Sequence, residues 1–448
     1  MSQSTLAALA AALAWVALIA YAVLGGADFG GGVWDLLARG STAERQRAVI
    51  ARGMGPVWES NNVWLIFVLV VTWTAFPIVY AGISTALFIP ITLAVIGIVL
   101  RGAGFSFRSN YGREVGSGVR WGHVFNVAST ITPFLFGTIA GALASGSIRV
   151  STGPPLQVQD NPWATWTTPF ALACGLFAVA LCSVLSATYL TIDARHAGDD
   201  EVAEGFRLRA LIAGAVTAAL GALAAVLAIS EAPILWQGLI GKALPFPIAA
   251  VVIGLATAAA LLRRLDYLAR VLVAAETACI FLAWGVAQWP YLIVPDVTVD
   301  NGASPASVLG PLLIVSVLGL VVLLPSLWYL FRVVKRTPRP SAPSTGAHVR
   351  TTTAAFVASL PLAEPAVPPP RTDALSAQAS AVVSPALPGG PTMQRIAPVL
   401  TVLFAIAAAP LITGLLDGLG RGMNRGMHQG YERIQRRRNQ RHRRARAH

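Results

Sequence analysis

Residues 62–101 read NVWLIFVLVVTWTAFPIVYAGISTALFIPITLAVIGIVLR, forty residues with no charge until Arg101. A helix needs about 20 apolar residues to cross about 30 Å of hydrocarbon, so this run is too long for one span and long enough for two. Pro77, near its middle, lacks a backbone N–H and disfavours helix at the residue before it. The stretch therefore predicts a pair of membrane spans joined by a very tight turn.

The rest of the chain agrees with a lipid solvent. Of 448 residues, 55% are hydrophobic and 12% charged, with a mean hydropathy of +0.65. Soluble domains carry roughly a quarter charged residues. The composition excludes a cytosolic enzyme, a disordered chain and a disulfide scaffold. Apolar stretches fall at 6–25, 57–79, 82–101, 123–145, 166–190, 208–229, 246–262, 270–288 and 307–331, which makes nine spans. Pro233–Leu244, between two of them, reads as an interfacial or re-entrant piece. No basic segment precedes Leu6–Gly25, so no cleavable signal peptide is expected.

Charge placement tests the count. With the N-terminus outside, the inner loops hold 18 basic residues, from Arg39 to Arg339, and the outer loops hold Arg149 and Lys242. That bias is the one that sets membrane orientation. Residues 1–339 carry 20 Lys+Arg against 16 Asp+Glu, whereas the tail Arg421–His448 carries ten Arg and one acid. The basicity is thus a terminal appendage. Residues 340–392, rich in Pro, Ala and Ser, read as a flexible linker ahead of a distinct segment, 393–448. There the apolar run Ile396–Leu416 reads either as a segment on the inner face, its basic tail on anionic lipid, or as a tenth span. The first is preferred because a tenth span places the tail outside. Membrane lipid, not nucleic acid, is the expected partner of the tail.

Ionisable groups within spans are costly and mark candidate sites. Asp28 lies at the inner end of the first span in GGADFGGG, residues 25–32. The five glycines there are expected to break or loosen the helix and to let another backbone approach closely. Glu59 lies in GPVWESNNVW, residues 55–64, where Pro56 suits a first helical turn. Trp58, Asn61, Asn62 and Trp64 crowd around it, although a plain acidic cap of the helix explains Glu59 equally well. Glu276 falls roughly 9 Å into the eighth span at 1.5 Å per residue. Arg101 ends the third span at the same level as Asp28 and Glu59. The three carboxylates suit proton uptake from the cytoplasm, or a structural polar cluster. Cys174, Cys182 and Cys279 lie in apolar runs and read as small buried residues. Haem iron needs axial His, Met, Cys or Tyr, and the body offers His123 near a boundary and Met54 in a loop. No bound metal or cofactor is expected in this chain.

These residues resemble subunit II of the cytochrome bd-type quinol oxidases. The resemblance is carried by Asp28-Phe29-Gly30, by Gly55-Pro56-Val57-Trp58-Glu59-Ser60-Asn61 with Trp64-Leu65, and by Ala75-Phe76-Pro77 and Tyr80-Ala81. It continues through Leu100-Arg101-Gly102, Phe105-Ser106-Phe107-Arg108, Gln288-Trp289-Pro290-Tyr291 and Pro325-Ser326-Leu327-Trp328-Tyr329, and so covers residues 1–336. It implies an all-α integral membrane fold: two four-helix bundles plus a peripheral helix, here with a C-terminal extension. It implies a heterodimer in the bacterial inner membrane with a subunit I that carries haems b and d, oxidises quinol and reduces dioxygen to water. Glu59 occupies the acidic position of the family's Trp-Asp-x-Asn motif, and Asp28 matches its Phe-Asp-x-Gly aspartate; both are implied in a cytoplasmic proton path. The chain departs from the pattern with Glu59 for Asp, with Asn62, and with Gly25 where a further Asp is usual. The last apolar run could mimic a small single-span accessory subunit. A polytopic ion-coupled transporter using the same carboxylates is the alternative reading, although no inverted repeat is visible.

Overall fold

A computed structural model describes residues 1–54, 57–111, 117–151, 157–159 and 161–336, with backbone alone at 57–59, 108–111, 117–120, 159 and 330–336. The side chains of Trp58 and Glu59, the linker, the run Ile396–Leu416 and the Arg-rich tail lie outside the described residues.

The chain order is α1 (Gln3–Leu36), α2 (Ala43–Met54), α3 (Val57–Ala75), α4 (Pro77–Ala86), α5 (Phe88–Tyr111) and α6 (Ser117–Ser145). A hairpin of β1 (Arg149–Ser151) and β2 (Gln157–Gln159) follows, then α7 (Pro169–His196), α8 (Asp200–Glu231), α9 (Pro233–Ile240), α10 (Pro245–Leu262) and α11 (Asp266–Gln288). A second small hairpin, β3 (Tyr291–Ile293) and β4 (Val297–Thr298), precedes α12 (Ala306–Arg336). Among the described residues, eight helices are long and apolar enough to cross a membrane, and the bent pair α3–α4 makes a ninth candidate.

Local chemistry sets the helix starts. Ser2 accepts from the Thr5 N–H, Thr168 from Ala171 ahead of Pro169, and Asp199 from Val202. Each satisfies a first-turn N–H that has no intrahelical partner. Helices α1, α3, α5 and α6 form one bundle and α7, α8, α10 and α11 a second; α7 packs on α1 and α6, and α12 lies against α1 and α3. This is the predicted pair of bundles with a peripheral helix.

Two expectations change. The glycines at 25–32 do not break the first span: α1 runs on to Leu36, and these residues are buried. In that stretch missing side chains serve packing rather than bending. The turn at Pro77 is not tight either. The chain breaks at Phe76, where α3 and α4 are bent by 116°, and ten residues of α4 lie across the bundle end before α5 begins at Phe88 rather than 82. Pro77 opens α4 as a first-turn proline, which its missing N–H permits. The suspected piece after residue 232 is the short helix α9.

We call the end at which α1 starts the amino end and the other the basic end. At the amino end Arg149 grips Asp296 with two hydrogen bonds, Nε to Oδ2 at 2.8 Å and Nη2 to Oδ1 at 2.9 Å, while the Val150 N–H donates to the same carboxylate. The Arg149 hydrogen bond, chiefly, holds the Asp296 carboxyl below its usual range. A depressed carboxylate stabilises the fold above its unfolded pKa and loses that contribution as pH falls through the folded value. The protection factor of the Val150 amide should therefore stay constant near neutral pH and fall only below about pH 4. The Asp296→Asn variant should show lower protection at neutral pH and converge on the parent in acid.

Candidate functional site

Asp28 sits about 12 Å from the C-terminal end of α1, counting 1.5 Å per residue from Leu36. Its burial follows from its neighbours in sequence. Gly30 lets α1 lie directly on the Cys182 carbonyl and Ser186 of α7, Gly32 faces Ser129 of α6, and Gly26 touches Leu185. With α1 seated this deeply, Asp28 is 9% exposed.

Asn61, brought in by α3 and also buried, donates from Nδ2 to Asp28 Oδ2 at 2.7 Å and reaches the Leu24 carbonyl at 3.4 Å. Arg101 comes from α5 and is 2% exposed; its guanidinium lies 4.6 Å from the centre of the Phe29 ring and within electrostatic range of Asp28. Three helices thus bring a carboxylate, an amide and a guanidinium into a region closed to water. In such surroundings charges act on each other far more strongly than at a surface, and a charge is retained only where opposite charge or hydrogen bonds meet it. The arrangement can hold a negative charge, or a proton in its place.

The other sequence candidates are distributed as follows. Trp64, one turn beyond Asn61, is buried beside Tyr21 and Phe29, whereas Asn62 is half-buried and forms no hydrogen bond to Asp28. The backbone of Glu59 lies in the first turn of α3, two residues before Asn61. Glu276 does not join this group. It projects from α11 towards α10, where a Cβ on Gly254 would stand 2.8 Å from its Oε1. Depth along a helix put the three carboxylates at one level; the direction Glu276 faces, towards Gly254, separates it from Asp28. Tyr21 escaped notice because a tyrosine in an apolar span reads as packing. The signal for it was the spacing Tyr21, Gly25, Asp28, which lies on one helix face.

The family model described as cytochrome bd terminal oxidase subunit II matches residues 6–334. The chain belongs to that family. It is 23% identical over 347 residues to a putative cytochrome bd menaquinol oxidase subunit II of Bacillus subtilis, covering 76% of this chain and 98% of that one. It is 29% identical over 220 residues to cytochrome bd-I ubiquinol oxidase subunit 2 of Escherichia coli, covering 48% and 55% of the two chains. The solved bd oxidase of Geobacillus thermodenitrificans has a chain of the same fold, with a TM-score of 0.63 at 21% identity over 73% of this chain and 98% of that one. The protein is thus a multi-span membrane subunit of a bd-type quinol oxidase, and a subunit II implies a subunit I.

A bd oxidase depends on haem, so the donors of this subunit II need comparison with what haem iron requires. Met54 packs its sulfur on Gly31, His196 is bonded to Tyr267 at 2.6 Å, and His123 is exposed on α6. Cys182 is packed against Gly26 and Gly30 of α1. These donors do not form an opposed axial pair, and no group of three metal-ligating side chains occurs among the described residues. Among the described residues, these donors do not fit a haem.

Proposed function

We propose that this subunit supports a haem-bearing subunit I in quinol oxidation and reduction of dioxygen to water, and that it supplies part of a cytoplasmic proton path through Glu59 and Asp28. The observation that carries the reading is the Asp28 carboxylate, buried, bonded to Asn61 and facing Arg101. A proton entering from the basic end, taken as cytoplasmic with the N-terminus outside, reaches the first turn of α3 and then Asp28. Proton exchange at Asp28 changes the charge balance around Arg101 without exposing it to water. Glu276, packed against Gly254, would be a second and separate proton-bearing carboxyl. Haems b and d and the quinol site are assigned to the partner. Exposed apolar faces such as Ile66, Leu69 and Trp73 on α3 are available to that partner or to lipid. The Arg-rich tail is assigned to anionic lipid, and the transporter alternative is not favoured by the family.

In the assembled complex, Glu59→Gln should slow turnover by about tenfold or more while haem content stays near normal. Asp28→Asn should reduce the yield of haem-containing complex more than its rate, because the Asn61 amide loses the charge it was bonded to. Oxygen consumption per haem, measured with proton uptake, separates the two effects. Full turnover with normal uptake in Glu59→Gln removes Glu59 from the path, and an assembled but slow Asp28→Asn complex reverses the roles assigned to the two.

A further inference from the structure

Seven residues before Asp28, and so roughly 10 Å nearer the amino end at 1.5 Å per residue, Tyr21 enters the same bundle interior. It is 5% exposed. Its ring lies over Gly25, one turn further on: a Cβ there would stand 2.9 Å from Tyr21 Cε2. The ring also meets Phe29 and Phe136 edge-on, at 6.4 and 6.1 Å between centres, and Phe29 in turn lies under Arg101. Gly25 thus leaves the space that the ring fills. Where the family resemblance puts a second carboxylate at position 25, this chain has a phenol reaching over from position 21.

Among the described residues the phenol hydroxyl has no hydrogen-bond partner, and neither has the indole N–H of Trp64, which is 8% exposed in the same packed cluster. Arg101, Asp28 and Cys182 lie within electrostatic reach of the phenol. Buried polar groups are almost always hydrogen-bonded, to protein or to ordered water. Trp64 can only donate and Tyr21 can donate or accept, so what joins them has to accept and donate in turn. The walls around them, Ala17, Leu24 and Val68 among others, are apolar and closely packed. A water molecule has that chemistry, and it typically makes about three such bonds.

We propose that Tyr21 and Trp64 hold an internal water on the amino side of Asp28, so that the polar site extends past the carboxylate by one ordered molecule. Tyr21 is a positioning residue here. Its hydroxyl fixes the water, the water reaches towards the Asp28–Arg101 pair, and the phenol keeps its proton throughout. The inference rests on the reading of Asp28 as a proton-bearing group for its consequence in turnover, but not for the existence of the water.

The test uses Tyr21→Phe in the purified two-subunit oxidase. The ring stays on Gly25, so haem content and thermal midpoint should match the parent. Infrared difference spectra taken in ordinary and in oxygen-18 water should show a water O–H band in the parent that is absent from Tyr21→Phe. Turnover should fall by about tenfold, the scale on which one hydrogen bond changes a barrier. Trp64→Phe, which removes the other donor, should abolish the same band and serves if Tyr21→Phe does not assemble. A band unchanged in both variants overturns the site. Asp28→Asn separates the two ideas. Full turnover in that variant removes the proton role of Asp28, while loss of the band in Tyr21→Phe still establishes the water.

Discussion

Replacing Gly30 by alanine should abolish the assembled subunit. The added methyl would meet the backbone of Cys182, its carbonyl carbon at 2.6 Å, and the Ser186 Cβ at 2.7 Å. Overpacking usually costs about 1–3 kcal/mol, and more when the obstacle cannot rotate away. Here the obstacle is main chain in the middle of α7, so the two helices must separate, and Asp28, two residues earlier, loses its enclosure with them. The expected cost is about 3 kcal/mol or more, seen as loss of haem-containing complex from detergent extracts. Gly205→Ala is the control. Nothing lies within 4 Å of a Cβ at that position of α8, and alanine there should be neutral or stabilising by roughly 0.5–1 kcal/mol. Equal losses in the two variants would remove the packing explanation.

The second large effect is expected at Arg195, at the basic end of α7. Its guanidinium pairs with Asp266 at the start of α11, with Glu204 of α8 at 3.1 Å and with Asp200 at 3.8 Å. Arg207 and Arg264 reach the same Glu204. Arg195 thereby fastens the α7–α8 turn to the α10–α11 turn. Asp266 is 7% exposed and depends on Arg195 for its charge partner. Breaking a buried pair from one side costs about 3–5 kcal/mol. Because Arg195 itself is 31% exposed, the low end is expected, about 3 kcal/mol, for Arg195→Met. The double variant Arg195→Met with Asp266→Asn should recover most of the loss, since no uncompensated charge remains. A double-mutant cycle on thermal inactivation reads this directly, and additive losses would count against the pair.

The sequence made the spans and their number legible because apolar length and Arg placement are one-dimensional signals, and a membrane imposes both. Asp28, Asn61 and Arg101 were legible for a related reason: each is a polar residue that lipid would reject unless a partner met it. Azimuth was not legible. Glu276 shares a depth with Asp28 yet faces Gly254 on another helix, and spacing from a span end carries no information on which helices become neighbours. The glycines at 25–32 were legible as special, but the choice between a broken helix and a close contact depends on whether another backbone arrives, here that of Cys182. Pro77 marked a break correctly and the geometry after it poorly, since a proline at a first turn starts a helix as readily as it ends one.

At the amino end Ser304 donates its hydroxyl to the Thr74 carbonyl at 2.8 Å and its N–H to the Ala75 carbonyl at 2.8 Å, while Gln3 donates to the Ser304 carbonyl at 3.3 Å. These bonds satisfy main-chain acceptors left open where α3 breaks, and they come from a residue 230 positions later in the chain. The Asp28–Asn61 bond, by contrast, spans 33 positions. During synthesis the polar site can therefore form once α7, against which α1 is seated, is in place, and the cover at the opposite end closes only once the residues leading into α12 have emerged. A ribosome stalled before Ser304 would leave a subunit with its carboxylate already in place and its far end unsealed.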